Sequence, residues 1–441
     1  MIIENKLKDY YSMILLLFFA IICGFAERPM FHLLLFSALV IILVFYFIRK
    51  KEDKIINLSV GVIPCLGLLK LNSIPLHNIF YVVCLITFIC CNRRLYISKK
   101  SLLLYFIFIS FDIIKYFFFL GDFQFNLFNL LNLFVLYLVF LYGINIFYYI
   151  KNNPNHYMIV IRHFILGVAA SIIYGYLYRY INYGLGNTFL SSNVGLRNSG
   201  ASLDPNYFSF YIVLSISFII ILYLYANKRN IKYLFLALLY VFAGFSSISR
   251  MYLVLCIPIM VVFIVICFKT IFTKYAYQIF FISIFVIIIM LFNRATIVNS
   301  FDMVISRFNV DSSVDVTNGR IDLLNMYVNT MKSNPEMIPF GVGISNYYKR
   351  LNIPLYAHNL YIELFVCLGL FGILLLFCLF LYLIFKSNIL YNSIRFLPLL
   401  VSSIAGLAIS FIDVEGFYIV FSLIFITIFV LTPKIVNGGE I

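Results

Sequence analysis

Tryptophan is absent and charge is scarce: only 11% of the 441 residues are charged, with 17 Asp and Glu against 32 Lys and Arg. So little charge excludes an ordinary soluble domain. The chain has no Gly-rich phosphate loop closed by a lysine and no Gly-x-Ser-x-Gly elbow, so neither a conventional nucleotide site nor an α/β-hydrolase nucleophile is indicated. All nine cysteines lie in or beside apolar runs. They form neither a disulfide framework nor a zinc motif, and no metal or other cofactor is expected.

What is present is apolar sequence, at 64% of the chain. Runs of about 17–25 apolar residues recur, each long enough to cross a bilayer as a helix. They are continuous rather than alternating, which favours helices over a barrel. The expected fold is an all-α polytopic integral membrane protein with about 12–14 transmembrane helices. The spans fall near 10–26, 30–48, 55–72, 74–91, 101–120, 127–149, 157–181, 206–226, 231–247, 251–268, 275–292, 358–385, 395–412 and 416–432. The first reads as an uncleaved helix rather than a signal peptide, because its basic flank is weak and another span follows at once. The third and fourth are interrupted by Pro64, Lys70 and Pro75, so a re-entrant pair is the alternative there.

The net charge is +15, and Lys and Arg concentrate in short connectors such as Arg49-Lys50-Lys51, Arg93-Arg94 and Lys228-Arg229. These alternate with connectors almost free of Lys and Arg, the positive-inside pattern, so the charge reports topology rather than nucleic-acid binding. With the N-terminus inside, three polar segments reach the outer face: the loop 182–205, the hairpin Ser246–Arg250 and the interval 293–357. Four regions result: membrane helices in 1–181; membrane helices with an external loop and hairpin in 182–292; a long external loop in 293–357; and C-terminal membrane helices in 358–441. Within the long loop, Asn318–Met331 has the spacing of an amphipathic helix, with Ile321, Leu324, Val328 and Met331 on one face and Asn318 as its cap. Such a helix can lie over the membrane core as a lid.

Arg197 is the one cation of the loop 182–205, and with Arg250 and Arg320 it draws notice. A guanidinium suits bidentate binding of phosphate. The plainer readings are lipid snorkelling for Arg250 and a solvated charge for Arg320. Asp204, before Pro205-Asn206, reads first as a helix cap. His358 and Asn359 stand at the mouth of a span, where the helix dipole disfavours an imidazolium and leaves a base near neutral pH. On a continuous helix His358, Ile362, Phe365, Gly369 and Gly372 would share a stripe, with the glycines admitting a neighbouring helix. Asp112 and Lys115, inside the fifth span, read as a structural intrahelical pair. Asp413 and Glu415 are the other acidic candidates for a base.

His358-Asn359, nine residues, then Gly369-Leu370-Phe371-Gly372 resembles the signature shared by O-antigen ligases and the related O-antigen or capsule polymerases. Arg197-Asn198-Ser199-Gly200, Asp204-Pro205-Asn206, Ser249-Arg250 and Pro339-Phe340-Gly341-Val342-Gly343 follow the family order, so the resemblance covers about residues 190–380. The ligase pattern usually continues with Thr or Val after the last glycine; here Ile373 stands.

The resemblance implies a metal-independent, inverting membrane glycosyltransferase. Its substrate would be an undecaprenyl-diphosphate-linked glycan at the outer face of the bacterial inner membrane, in lipopolysaccharide or capsule synthesis. It also implies His358 as general base and Arg197, Arg250 and Arg320 on the diphosphate, with Asn359, Asp204 and Asn206 in support. The partners implied are the lipid-linked oligosaccharide, an acceptor glycan, a chain-length regulator and a flippase, with no nucleic acid. Polymerase is the first expectation and ligase to lipid A–core the second. A flippase for the same units is the non-enzyme alternative, although alternating access favours a site near the bilayer midplane rather than at one face.

Overall fold

The computed structural model describes residues 29–70, 75–118, 127–184, 197–225, 230–271, 320–344, 346–386, 393–411 and 415–430, with scattered positions between 276 and 302. The expected first span, most of the span 275–292, Asn318 and Asp413 lie outside the described residues. The helices are α1 (Pro29–Ile48), α2 (Glu52–Val62), α3 (Leu76–Asn92), α4 (Lys99–Phe118), α5 (Leu127–Asn152), α6 (Tyr157–Tyr183) and α7 (Pro205–Tyr225). They continue with α8 (Ile231–Phe245), α9 (Arg250–Ile271), α10 (Arg320–Ser333), the single turn α11 (Tyr347–Arg350), α12 (Leu360–Lys386), α13 (Leu397–Ala405) and α14 (Glu415–Val430). Among the described residues there is no strand, and six helical segments are long and apolar enough to cross a membrane, with five shorter apolar helices beside them. This is an all-α polytopic membrane protein.

Helix α7 is the axis of the bundle. It begins with Pro205 at its first position and is buried along nearly its whole length, with α6, α8, α9 and α13 packed around it. The outer helices are the reverse: Ile48 is 70% exposed, Phe118 81% and Leu375 71%. Large aliphatic and aromatic side chains on that scale belong against lipid, not water. Helices α2 and α6 touch backbone to backbone, since a Cβ on Gly167 would lie 2.0 Å from the Gly61 carbonyl oxygen; small residues permit this approach.

Two expected spans are shorter than the sequence pattern suggests. The segment 55–72 is the eleven-residue α2 followed by a 3-10 helix, Ile63–Leu68, with Pro64 at its start. A proline that lacks an N–H and fixes φ does not continue the α-helical ladder. The segment 395–412 is the nine-residue α13, after which the chain turns from Gly406 onward. Both breaks lie at the polar end of α7: the 3-10 helix packs against Gly200–Ser202, and Tyr207 donates to the Ser410 carbonyl at 2.5 Å.

Candidate functional site

The polar end of α7 is built first from its own cap. Asp204 Oδ1 accepts from the backbone N–H groups of Asn206 (2.7 Å) and Tyr207 (3.1 Å), so the capping reading of Asp204 holds. The preceding loop is tied to the α8–α9 turn: Asn198 N donates to the Ser246 carbonyl at 3.0 Å, and Asn198 Nδ2 to Ser246 Oγ at 2.9 Å. Arg197 Nε reaches the Ser247 carbonyl at 3.2 Å and Nη2 reaches Asn206 Oδ1 at 3.4 Å. Ser249 Oγ donates to the same Asn206 oxygen at 2.9 Å. Arg197, Asn206 and the residue before Arg250 thus meet at one point, though they are up to 52 positions apart (249 minus 197).

The long external interval supplies the next pieces. Helix α10 begins at Arg320, and it buries Leu323, Tyr327 and Met331. Its buried face is therefore rotated from the expected Ile321–Leu324–Val328–Met331 face, with Met331 common to both; Ile321 is 55% exposed. The difference follows from Tyr327, whose hydroxyl donates to the Leu355 carbonyl at 2.6 Å and fixes the rotation of the helix. Arg320 is held below its ordinary value by desolvation and then by the Arg250 guanidinium, with Asp204 acting in the opposite direction. Arginine remains a cation after such a shift, so two guanidiniums stand within electrostatic reach of each other beside one carboxylate.

His358 lies before α12 rather than on it. Its backbone is left-handed (φ 49°), and the helix starts at Leu360 with Asn359 as its cap, Oδ1 accepting from Tyr361 N (3.0 Å) and Ile362 N (3.2 Å). Histidine is among the residues that tolerate this conformation, at a cost in strain that the surroundings must hold. Desolvation of the ring and then the Arg320 guanidinium lower the His358 pKa below the ordinary imidazole value, while Asp204 raises it. The shift runs in the direction expected from the sequence, against the imidazolium, with burial and Arg320 as its causes.

A relay of hydrogen bonds holds His358 in register with α7. Ala357 N donates to the Tyr347 hydroxyl at 3.2 Å, and Tyr347 donates to Glu363 Oε1 at 2.8 Å. Ser410 Oγ donates to Glu363 Oε2 at 2.7 Å, and the Ser410 carbonyl accepts from Tyr207, the third residue after Asp204. Burial and the Glu363 carboxylate push the Tyr347 phenol up, so it stays a donor. Sequence reasoning missed Glu363, Tyr347 and Ser410. An acidic residue within an apolar span is a signal in its own right, and Glu363 carries it.

The glycine signature does something other than helix packing. Gly369 adopts φ 68° and ψ −171° and breaks α12, so the stripe from His358 through Gly369 to Gly372 does not exist. The freed backbone groups are taken up by the loop after α10. Val342 N donates to the Val366 carbonyl (2.8 Å) and Gly343 N to Cys367 (3.0 Å), while Leu370 N and Phe371 N donate to Ile338 (2.9 Å) and Pro339 (3.1 Å). A Cβ on Gly369 would sit 2.4 Å from Gly341 N. What comes close is therefore a loop, not a helix. Asp112 and Lys115 do form their ion pair at 3.4 Å, but they also reach outward. Lys115 Nζ donates to the carbonyls of Phe340 (3.1 Å) and Cys367 (3.0 Å), and Asp112 accepts from Ile344 N (3.2 Å) and from the Tyr137 hydroxyl.

Below this layer lies an apolar cavity of about 470 Å³, lined by Phe108, Phe140, Ile344, Leu360, Leu364 and Phe421 among others. Leu360, the second residue after His358, is part of its lining.

The fold and site define a multi-pass helical membrane protein that gathers arginines, a carboxylate and a histidine at one end of its bundle. The family model described as O-antigen ligase matches residues 233–377, which supports the O-antigen polymerase and ligase family for this chain. That segment contains Arg250, Arg320, His358 and the Gly369 break; Arg197 and Asp204 precede it. Among curated proteins none matches the sequence.

Proposed function

We propose that the protein is a polysaccharide polymerase of the bacterial inner membrane, acting at its outer face. It transfers an undecaprenyl-diphosphate-linked glycan onto a lipid-linked repeat unit in O-antigen or capsule synthesis. The observation that carries this reading is the electrostatic grouping of His358 with Arg320, Arg250 and Asp204. In the transfer, the acceptor hydroxyl oxygen bonds to the anomeric carbon as the bond from that carbon to the diphosphate oxygen breaks, and the hydroxyl proton passes to the His358 imidazole. A base so placed is typically worth a hundredfold or more in rate. Negative charge grows on the departing diphosphate, and preorganised guanidiniums of Arg250, Arg320 and Arg197 meet it, each worth on the order of 3 kcal/mol. The 470 Å³ apolar cavity beside Leu360 suits the polyprenyl chain.

Ligation of the finished chain to lipid A–core is the second reading, favoured by the family model's own description. The glycan profile of a deletion strain separates the two. Loss of the chain-length ladder with one capped repeat remaining is the polymerase outcome; complete polymer left on the lipid carrier is the ligase outcome and overturns the first reading.

A further inference from the structure

A second cavity, of about 270 Å³, opens beside the first residues of α7, with Asp204 in its lining. Its floor is apolar and buried, formed by Ile63 and Leu66 of the 3-10 helix and by Tyr211. Its rim is polar or exposed, with Lys70, Ser202, Leu203 and Asp204. The sequence marked Lys70 only as an interruption of a span, and the chemistry above leaves it without a role.

A cavity with a carboxylate, an ammonium, the His77 imidazole and a hydroxyl around an apolar and tyrosine-lined floor matches a polyhydroxylated ring. Hydroxyls both donate and accept, so they satisfy Asp204 and Lys70 together, while the C–H face of the ring lies on apolar surface. Arg250 and Arg320, the cations that offset the Asp204 carboxylate toward a diphosphate, do not line this cavity. The capping bonds of Asp204 use Oδ1, which leaves Oδ2 as an acceptor for a ligand. Asp204 also shapes the field at His358 and Arg320, so a ring held here sits at the edge of the reacting centre.

We propose that this cavity is a subsite for one sugar ring of the acceptor glycan. The proposal rests on the transferase reading for the word acceptor, and on the cavity alone for the word sugar. Lys70 and Leu203 are the residues to change, because both are exposed at the rim and neither belongs to the catalytic group.

The test uses full-length protein in detergent and the repeat-unit oligosaccharide released by mild acid from the strain's own lipid-linked pool, with binding read by saturation-transfer NMR titration. Leu203→Trp, which fills the mouth, and Lys70→Ala are each expected to weaken oligosaccharide binding at least fivefold. The thermal midpoint and the binding of undecaprenyl diphosphate should stay as in wild type. Should Leu203→Trp also lower the thermal midpoint, Lys70→Ala decides. Unchanged oligosaccharide binding in Lys70→Ala and Leu203→Trp, or no binding by the wild type, overturns the proposal. Cavity-dependent binding by a wild-type protein that transfers no sugar refutes the transferase reading and leaves the sugar site standing.

Discussion

Lys115 and Cys367 meet where a membrane helix is broken: the lysine ammonium donates to the Cys367 carbonyl at 3.0 Å and, at 3.1 Å, to that of Phe340 in the loop that fills the break. A helix interrupted inside an apolar layer leaves backbone groups that lipid cannot satisfy. Here the loop 338–343 satisfies most of them and Lys115 bridges loop and helix from a third direction. The buried Asp112 completes the arrangement by accepting from Ile344 N.

Removing the ammonium should therefore cost more than one hydrogen bond. Lys115→Met removes the cation paired with the buried Asp112, a loss of about 3–5 kcal/mol for a broken buried pair. The expected result is a clear fall in the thermal midpoint of the detergent-purified protein. The double variant Asp112→Asn, Lys115→Met should recover part of it; equal midpoints for the single and double variants would show that the pair is not coupled.

Gly369 is the strictest position in the signature. Any side chain there meets Gly341 N at 2.4 Å and must hold φ 68°, a conformation costing on the order of 1–3 kcal/mol for a non-glycine residue. Gly369→Ala should lose most polymer synthesis, with the loop 338–343 becoming open to limited proteolysis. Wild-type synthesis would mean the break is dispensable.

The relay to His358 makes a different prediction. Tyr347→Phe leaves Ala357 N–H without its acceptor and removes one of the donors to Glu363. An unpaired buried group costs about 1–3 kcal/mol. Transfer rate should fall about tenfold while the amount of folded protein stays near wild type. Because Tyr347 positions rather than reacts, the loss should appear in kcat, with little change in KM for the lipid-linked donor.

The pH profile follows from the direction of the His358 shift. The imidazole must be neutral to accept a proton, and its pKa is lowered from 6.5, so the acid limb of transfer activity should have its midpoint below that value. Arg320→Ala removes a cation that opposes protonation and should move the midpoint up. Asp204→Asn removes an anion that favours protonation and should move it down. The two shifts have opposite signs, and finding both in the same direction would dissociate His358 from this cluster.

Much of this was legible in the chain. Hydropathy alone gives the helical membrane body, and Asp204-Pro205 reads correctly as the start of α7 because a cap and a first-turn proline are local features. The family order brings Arg197, Arg250 and His358 into one list, with Arg320 carried over from the loop before the histidine. What stayed hidden is relational. The sequence lets Gly369 be a packing glycine or a breaking one, and only the loop that arrives from residues 338–343 decides. Asp112 and Lys115 look like a self-contained pair because helical spacing shows neighbours on the same helix and nothing beyond it. Glu363 stands close to the more familiar histidine, although a buried carboxylate in an apolar run is the more unusual residue.

The central claim is that His358 is the base of a glycosyl transfer, and a gel of products from purified protein supplied with lipid-linked repeat units tests it most directly. The account predicts a ladder of polymers from the wild type and, from an equal amount of folded His358→Ala, no product longer than the starting unit. A full ladder from His358→Ala would contradict it.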